Sequence, residues 1–221
     1  MKEYKIELVG KHILIVDDRG SKVLIDTGSP LSFHSDGVVA IDGETVKVPT
    51  TLLVADSDYV TEHVGTKVEG LVGMNVLGRK GVLIDVPGGR VVVGHTTEGM
   101  TRVPSRSLMG GYMCVDMDLN GKQVEVIVDT GAPVSYVSPT LTRGLVAKET
   151  VKDFSPLVGE FETPMFEFPA AFAGHAFEMR AGHLPKIMQL EIGLLGINGV
   201  VGMELLQHQP LLLAEGSVWI P

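Results

Sequence analysis

Val23-Leu24-Ile25-Asp26-Thr27-Gly28-Ser29-Pro30-Leu31-Ser32-Phe33 and Val126-Ile127-Val128-Asp129-Thr130-Gly131-Ala132-Pro133-Val134-Ser135-Tyr136 are one phrase written twice. In each copy an apolar run reads as a buried strand, and Thr-Gly breaks it, so the aspartate stands where a strand turns out of the core. One copy alone reads as a strand-ending turn. Two copies, matched through a small residue, proline, an aliphatic, serine and an aromatic, do not arise by chance.

A second phrase is repeated downstream, Gly70-Leu71-Val72-Gly73-Met74-Asn75-Val76-Leu77 and Gly199-Val200-Val201-Gly202-Met203-Glu204-Leu205-Leu206. Asp26 and Asp129 lie 103 positions apart, whereas Gly73 and Gly202 lie 129 apart, so the second half holds 26 extra residues between its landmarks. The repeat predicts two similar, diverged lobes.

The paired phrases resemble the aspartic peptidases, in which Asp-Thr-Gly, followed later by two aliphatics and glycine, marks each half of the pepsin and retropepsin folds. The resemblance implies an all-β, bilobal pepsin-like fold made of two retropepsin-like β-barrel halves. It further implies an endopeptidase in which Asp26 and Asp129 activate a water between them. Two carboxyl groups held together cannot both ionise cheaply, so they share a proton: one acts as base toward water while the other polarises the carbonyl. By the same resemblance Thr27 and Thr130 hydrogen-bond across the lobes beneath the pair, Gly28 and Gly131 admit backbone amides to the carboxylates, and Gly73 and Gly202 buttress the aspartate loops. The alternative reading of Gly73 and Gly202 is an ordinary strand ending in a glycine turn.

The copies differ at the next residue. Ser29 is expected to donate a hydrogen bond toward its aspartate and favour the charged form, whereas Ala132 cannot, which makes Asp129 the expected proton holder. Pro30 and Pro133 stiffen the turns and remove a backbone donor. A flap over the site is harder to find: the candidates are the hairpin around Asp42-Gly43 and the stretch from Leu157 to Phe166, and Tyr59 falls outside the first of them. An ordinary surface hairpin explains either equally well.

Strand signals dominate elsewhere. Lys5 to Val16 reads as strand, Asp17-Asp18-Arg19-Gly20 as the turn into the strand that ends at Asp26, and Val115 to Val128 as the matching hairpin, with Asn120-Gly121 as a two-residue turn. Val82 to Gly94 and the C-terminal Pro210 to Pro221 read as a further matched pair of hairpins. Helix is expected only near Met74 to Leu77, Thr140 to Gly144 and Met203 to His208. His95 to Gly111 reads as the connection, giving a first lobe over residues 1–98, a linker over 99–110 and a second lobe over 111–221.

With 221 residues, 44% of them hydrophobic, the chain can bury a real core. A net charge of −9 without any Lys/Arg-rich run excludes a nucleic-acid footprint. No apolar stretch approaches the roughly 20 residues that span a bilayer, so no membrane partner is expected. The opening residues lack the pattern of a signal peptide, and the single Cys114 fits a reducing compartment, so a cytoplasmic location is expected. Seven histidines are scattered without HExxH or similar spacing, so neither a metal nor another cofactor is expected. Ser32 and Ser135 lack a GxSxG setting and read as local caps. The expected partner is a peptide or protein substrate, and since one chain supplies both halves, a monomer suffices. The competing function is a non-catalytic pepsin-fold module that binds peptide or protein with a vestigial pair of aspartates.

Overall fold

A computed structural model describes residues 1–53, 55–155 and 158–221. Each half starts from an antiparallel hairpin that ends on its aspartate. In the first half, His12–Val16 pairs with Lys22–Ile25, and in the second, Met113–Leu119 pairs with Lys122–Val128. The second turn has the expected left-handed pair, Asn120 at φ 53° and Gly121 at φ 74°, which suits the twist of the flanking strands. The first arm is less continuous than its sequence suggests: Lys2–Lys5, Glu7–Val9 and His12–Val16 are separate strands, and Gly10 and Lys11, both at positive φ, fold the second back on the third.

The second landmark then threads between the strands of the first. Gly70–Val72 runs parallel to Lys22–Ile25 and antiparallel to Phe33–His34. Gly199–Val201 does the same with Lys122–Val128 and Ser135–Val137. The chain on either side of each aspartate is thereby stitched to one central strand, and the Asp-Thr-Gly turn bulges out between its two flanks. Short helices follow at Met74–Leu77 and Met203–Leu206, as expected, whereas Thr140 to Gly144 forms turns.

Two longer helices escaped the strand-dominated reading, Ser57–Val64 and Lys186–Leu194, each just before a central strand. The first carries recognisable ends, since Asp56 accepts from Tyr59 N and Gly65 closes it at φ 80°. The second follows Pro185 with no side-chain cap.

The lobes also share structure. The hairpin Val82–Asp85/Arg90–Val93 and its counterpart Leu211–Ala214/Ser217–Ile220 join edge to edge through Val82–Ile84 and Leu211–Leu213, forming one six-stranded sheet with Lys2–Lys5 and Thr101–Arg102 at its edges. A single apolar core runs through it from Ile13 and Ile25 in one half to Val128 and Val218 in the other. A smaller first-half core, with Leu24, Phe33, Val60, Val64 and Leu71, lies apart from it. The 26 extra residues of the second half go chiefly into the long hairpin Glu149–Ser155/Gly159–Phe172.

Candidate active site

The two Asp-Thr-Gly turns meet head to head. Asp26 N donates to Val72 O and Asp129 N to Val201 O, each at 3.0 Å, which fixes each aspartate to its central strand. Below them the threonines interlock. Thr27 N donates to Thr130 Oγ1 at 2.9 Å and Thr130 N to Thr27 Oγ1 at 3.0 Å, while the hydroxyls donate onward to Val128 O and Ile25 O at 2.9 and 2.7 Å. Four buried hydrogen bonds therefore tie one lobe to the other under the carboxylates.

Gly28 and Gly131 are required by close approach. A Cβ on Gly28 would stand 2.1 Å from Asp129 Cγ, and one on Gly131 would stand 2.5 Å from Asp26 Cγ. Each glycine thus makes room for the other lobe's carboxylate, and Gly131 N also donates to Asp129 Oδ1 at 2.8 Å. Gly73 and Gly202 lie under the loops: a Cβ would come within 2.5 Å of Leu31 O and 2.0 Å of Ala132 O. Beyond them, Met74 N donates to Ser29 O and Met203 N to Ala132 O.

Ser32 and Ser135 do more than cap a local turn. Both are fully buried, and their hydroxyls accept from Gly73 N at 2.9 Å and Gly202 N at 3.1 Å. They join the two repeated phrases of each half. The signal was the recurrence of serine at the same place in both copies.

The electrostatic expectation for Ser29 is overturned. Its hydroxyl donates to Leu31 O at 2.7 Å and is not turned toward Asp26. The carboxyl groups of Asp26 and Asp129 are close enough to feel one another and line the same cleft. Burial, with the Asp129 charge and its hydrogen bond, holds Asp26 well above the usual aspartate range. Asp129 is also raised by burial, but the Gly131 amide and the bond from Asp26 offset part of that effect. Asp26 Oδ1 has no hydrogen-bond partner, whereas Asp129 Oδ1 accepts from Gly131 N, so the shared proton belongs on Asp26 and the charge on Asp129, the reverse of the expected order.

The cleft encloses about 680 Å³. Its first-half wall is formed by Leu24, Phe33, Leu71 and the helix face of Tyr59, Val60 and Val64, and its second-half wall by Tyr136, Phe154, Phe161 and Met188. His12 and His63 reach it as well, a convergence with no sequence signal; burial lowers the His12 pKa against an opposing pull from Asp153. Among the described residues no Lys or Arg lines it, while Asp153 does.

Of the two flap candidates, the first lies elsewhere. None of residues 38–48 borders the cleft, because Asp17, Asp18 and Tyr4 bind the backbone amides of Ala40, Gly43 and Asp42, and Lys80 pairs with Asp42. The second candidate does border it through Phe161; its first residue, Leu157, lies outside the described residues. Among those described, no group of three or more His, Cys, Asp or Glu forms a metal site, and no helix is long and apolar enough to cross a membrane.

Two lobes, each with a strand threaded between the flanks of an Asp-Thr-Gly turn, and with the turns face to face, define the pepsin-like fold. Among solved structures 93 chains match. One is the aspartic proteinase from Irpex lacteus, with a TM-score of 0.51 and 12% identity over 99% of this chain and 96% of that one. The sequence itself matches no family model and no curated protein. The likeness therefore resides in the fold.

Proposed function

We propose that this chain is an aspartic endopeptidase that hydrolyses peptide bonds with a water activated between Asp26 and Asp129. The observation that carries this reading is the pair of carboxyl groups brought together over the Thr27–Thr130 interlock, each against the other lobe's glycine, with one oxygen of Asp26 unpartnered and one oxygen of Asp129 held by an amide. Asp129, ionised, takes a proton from the water as its oxygen bonds to the scissile carbonyl carbon. Asp26 gives its proton to the carbonyl oxygen, and a neutral tetrahedral diol results. Collapse passes the proton from Asp129 to the departing nitrogen and returns one from the diol to Asp26, restoring the starting state. The thin polar inventory and large apolar walls of the cleft suit an extended peptide with bulky apolar side chains, and the Asp153 carboxylate disfavours acidic ones.

The test is a mixed peptide library incubated from about pH 3 to 7 with the native chain, with Asp129→Asn, and with a statine-containing inhibitor. Cuts abolished by the substitution and by the inhibitor support the reading. A folded native chain that binds peptides and cuts none belongs instead to the binding modules.

A further inference from the structure

The two halves differ most in what overhangs the cleft. In the first half the corresponding hairpin, Val38–Ile41/Glu44–Lys47, is bound down against the body of its own lobe. In the second, Glu149–Ser155 and residues 159–165 form a hairpin at the sheet edge whose two faces make different contacts, while residues 166–172 continue into the sheet. Asp153 and Phe161 are cross-strand partners and so share a face. Tyr136 meets that face, its hydroxyl bonded to the Asp153 carboxylate and its ring 5.9 Å from Phe161. Phe154, the next residue along, faces the other way and crosses to the first lobe, its ring 3.7 Å from His63 and 5.3 Å from Tyr59. The hairpin thus spans the cleft from one wall to the other.

Tyr136 is the aromatic that closes the second copy of the repeated phrase, and its counterpart is Phe33. Phe33 is wholly buried and has no hydroxyl to offer. The repeated phrase therefore carries an anchor for an overhanging strand in one copy and lacks it in the other. Burial and the bond to Asp153 both raise the Tyr136 phenol pKa, which keeps it a donor.

We propose that the second-lobe hairpin is the substrate cover of this chain, anchored by Tyr136 through Asp153 and seated on Tyr59 and His63 through Phe154, and that the first lobe supplies the seat in place of a flap. Phe154 and Phe161 then wall the substrate from above and set which side chains fit. Tyr136 is a positioning residue that acts through Asp153. This inference rests on the peptidase reading, and it reverses the lobe that supplies the cover.

The test follows amide hydrogen exchange across the chain with and without a statine-containing peptide, in the native protein, Tyr136→Phe and Phe154→Ala. Tyr136→Phe installs the residue that the first copy already uses, so the fold is retained. Bound inhibitor is expected to slow exchange in Glu149–Ser155 and residues 159–165 and to leave residues 38–47 unchanged. Both substitutions speed exchange in the hairpin and weaken inhibitor binding about tenfold, the scale of one lost hydrogen bond or aromatic contact. In peptide cleavage they raise KM by a similar factor with a smaller change in kcat. Inhibitor that binds without protecting the hairpin, protection of residues 38–47 in its place, or variants that bind like the native chain would each overturn the cover while leaving the aspartate pair intact as a reading. Absence of both inhibitor binding and cleavage removes the peptidase reading and the cover with it.

Discussion

Replacing Thr27 by valine keeps the shape of the side chain and deletes its hydroxyl, so it isolates what the interlock contributes. The hydroxyl accepts from Thr130 N and donates to Val128 O, and the residue is fully buried. The substitution leaves an amide and a carbonyl stripped of these bonds where water does not reach. At about 1–3 kcal/mol for each buried group left unpaired, the loss is about 2–6 kcal/mol. That is a large share of the roughly 5–15 kcal/mol that holds an ordinary domain together. For a chain of this size a loss of about 2–4 kcal/mol corresponds to a fall in Tm of about 4–16 °C.

Thr27→Ser provides the control, because it keeps the hydroxyl and removes one methyl, at about 1 kcal/mol. The assay is denaturant unfolding followed by fluorescence of Trp219, the single tryptophan, which lies in the sheet shared by both lobes. Thr130→Val removes the other two bonds. Combining it with Thr27→Val should cost less than the sum of the single losses, since once one half of the interlock is gone the turns can part and let water reach the remaining groups. If Thr27→Val and Thr27→Ser unfold at the same denaturant concentration, the four hydrogen bonds do not hold the lobes and the argument fails.

Other expectations follow from the same contacts. Gly28→Ala places a methyl 2.1 Å from Asp129 Cγ, against a normal carbon contact of about 3.5–4.0 Å, so the turns must separate by more than about 1 Å, and kcat/KM should fall at least about 100-fold while the chain stays folded; retained activity would show that the two carboxyl groups need no such proximity. Asp26→Asn should abolish cleavage yet raise Tm at pH 7. A carboxyl whose pKa is raised in the folded state contributes stability that is complete below the unfolded value of about 4 and is lost as pH rises through the folded value, whereas asparagine does not titrate. Melting curves at pH 4 and 7 check the sign, since the advantage of the variant must shrink on acidification. Ser135→Ala strips the partner from Gly202 N and should cost about 1–3 kcal/mol in denaturant unfolding, with Ser32→Ala costing at least as much because Asn75 also loses its donor. Ser29→Ala should leave the acid limb of the activity profile in place, because its hydroxyl serves Leu31 O; a shifted limb would restore the direct bond to Asp26.

The features legible in the sequence were those written twice. Strand periodicity, the Asp-Thr-Gly phrases and the two glycine landmarks are local signals that duplication lifts above chance, and they located the aspartates, threonines and glycines that the fold brings together. Features present once were harder. Helix Ser57–Val64 had its Asp56 cap and Gly65 stop in plain view, but a pattern read mainly for strands passed over them. The edge-to-edge pairing of Val82–Ile84 with Leu211–Leu213 joins residues more than 100 positions apart, which no local pattern encodes. The Ser29 hydroxyl donates to Leu31 O, an acceptor placed by the fold of the turn, which is a matter of backbone geometry. The first-half flap candidate failed because Asp17, Asp18 and Tyr4, from earlier strands, bind its amides.

The distribution of sameness and difference between the halves also has a physical order. Where a group touches its counterpart in the other lobe, the copies agree: threonine on threonine, and glycine making room for the opposing aspartate. A change there on one side alone leaves an unpaired buried group or a clash, so each contact constrains both copies together. Away from that axis no such coupling exists, and the copies have parted, with Phe33 against Tyr136 and a bound-down hairpin against a projecting one. The proton requires the opposite of symmetry. Two identical carboxyl groups would share it evenly, whereas a base and an acid at the same instant need one to be the poorer anion. The Gly131 amide at 2.8 Å from Asp129 Oδ1, against an unpartnered Asp26 Oδ1, supplies that bias within an otherwise matched pair of turns.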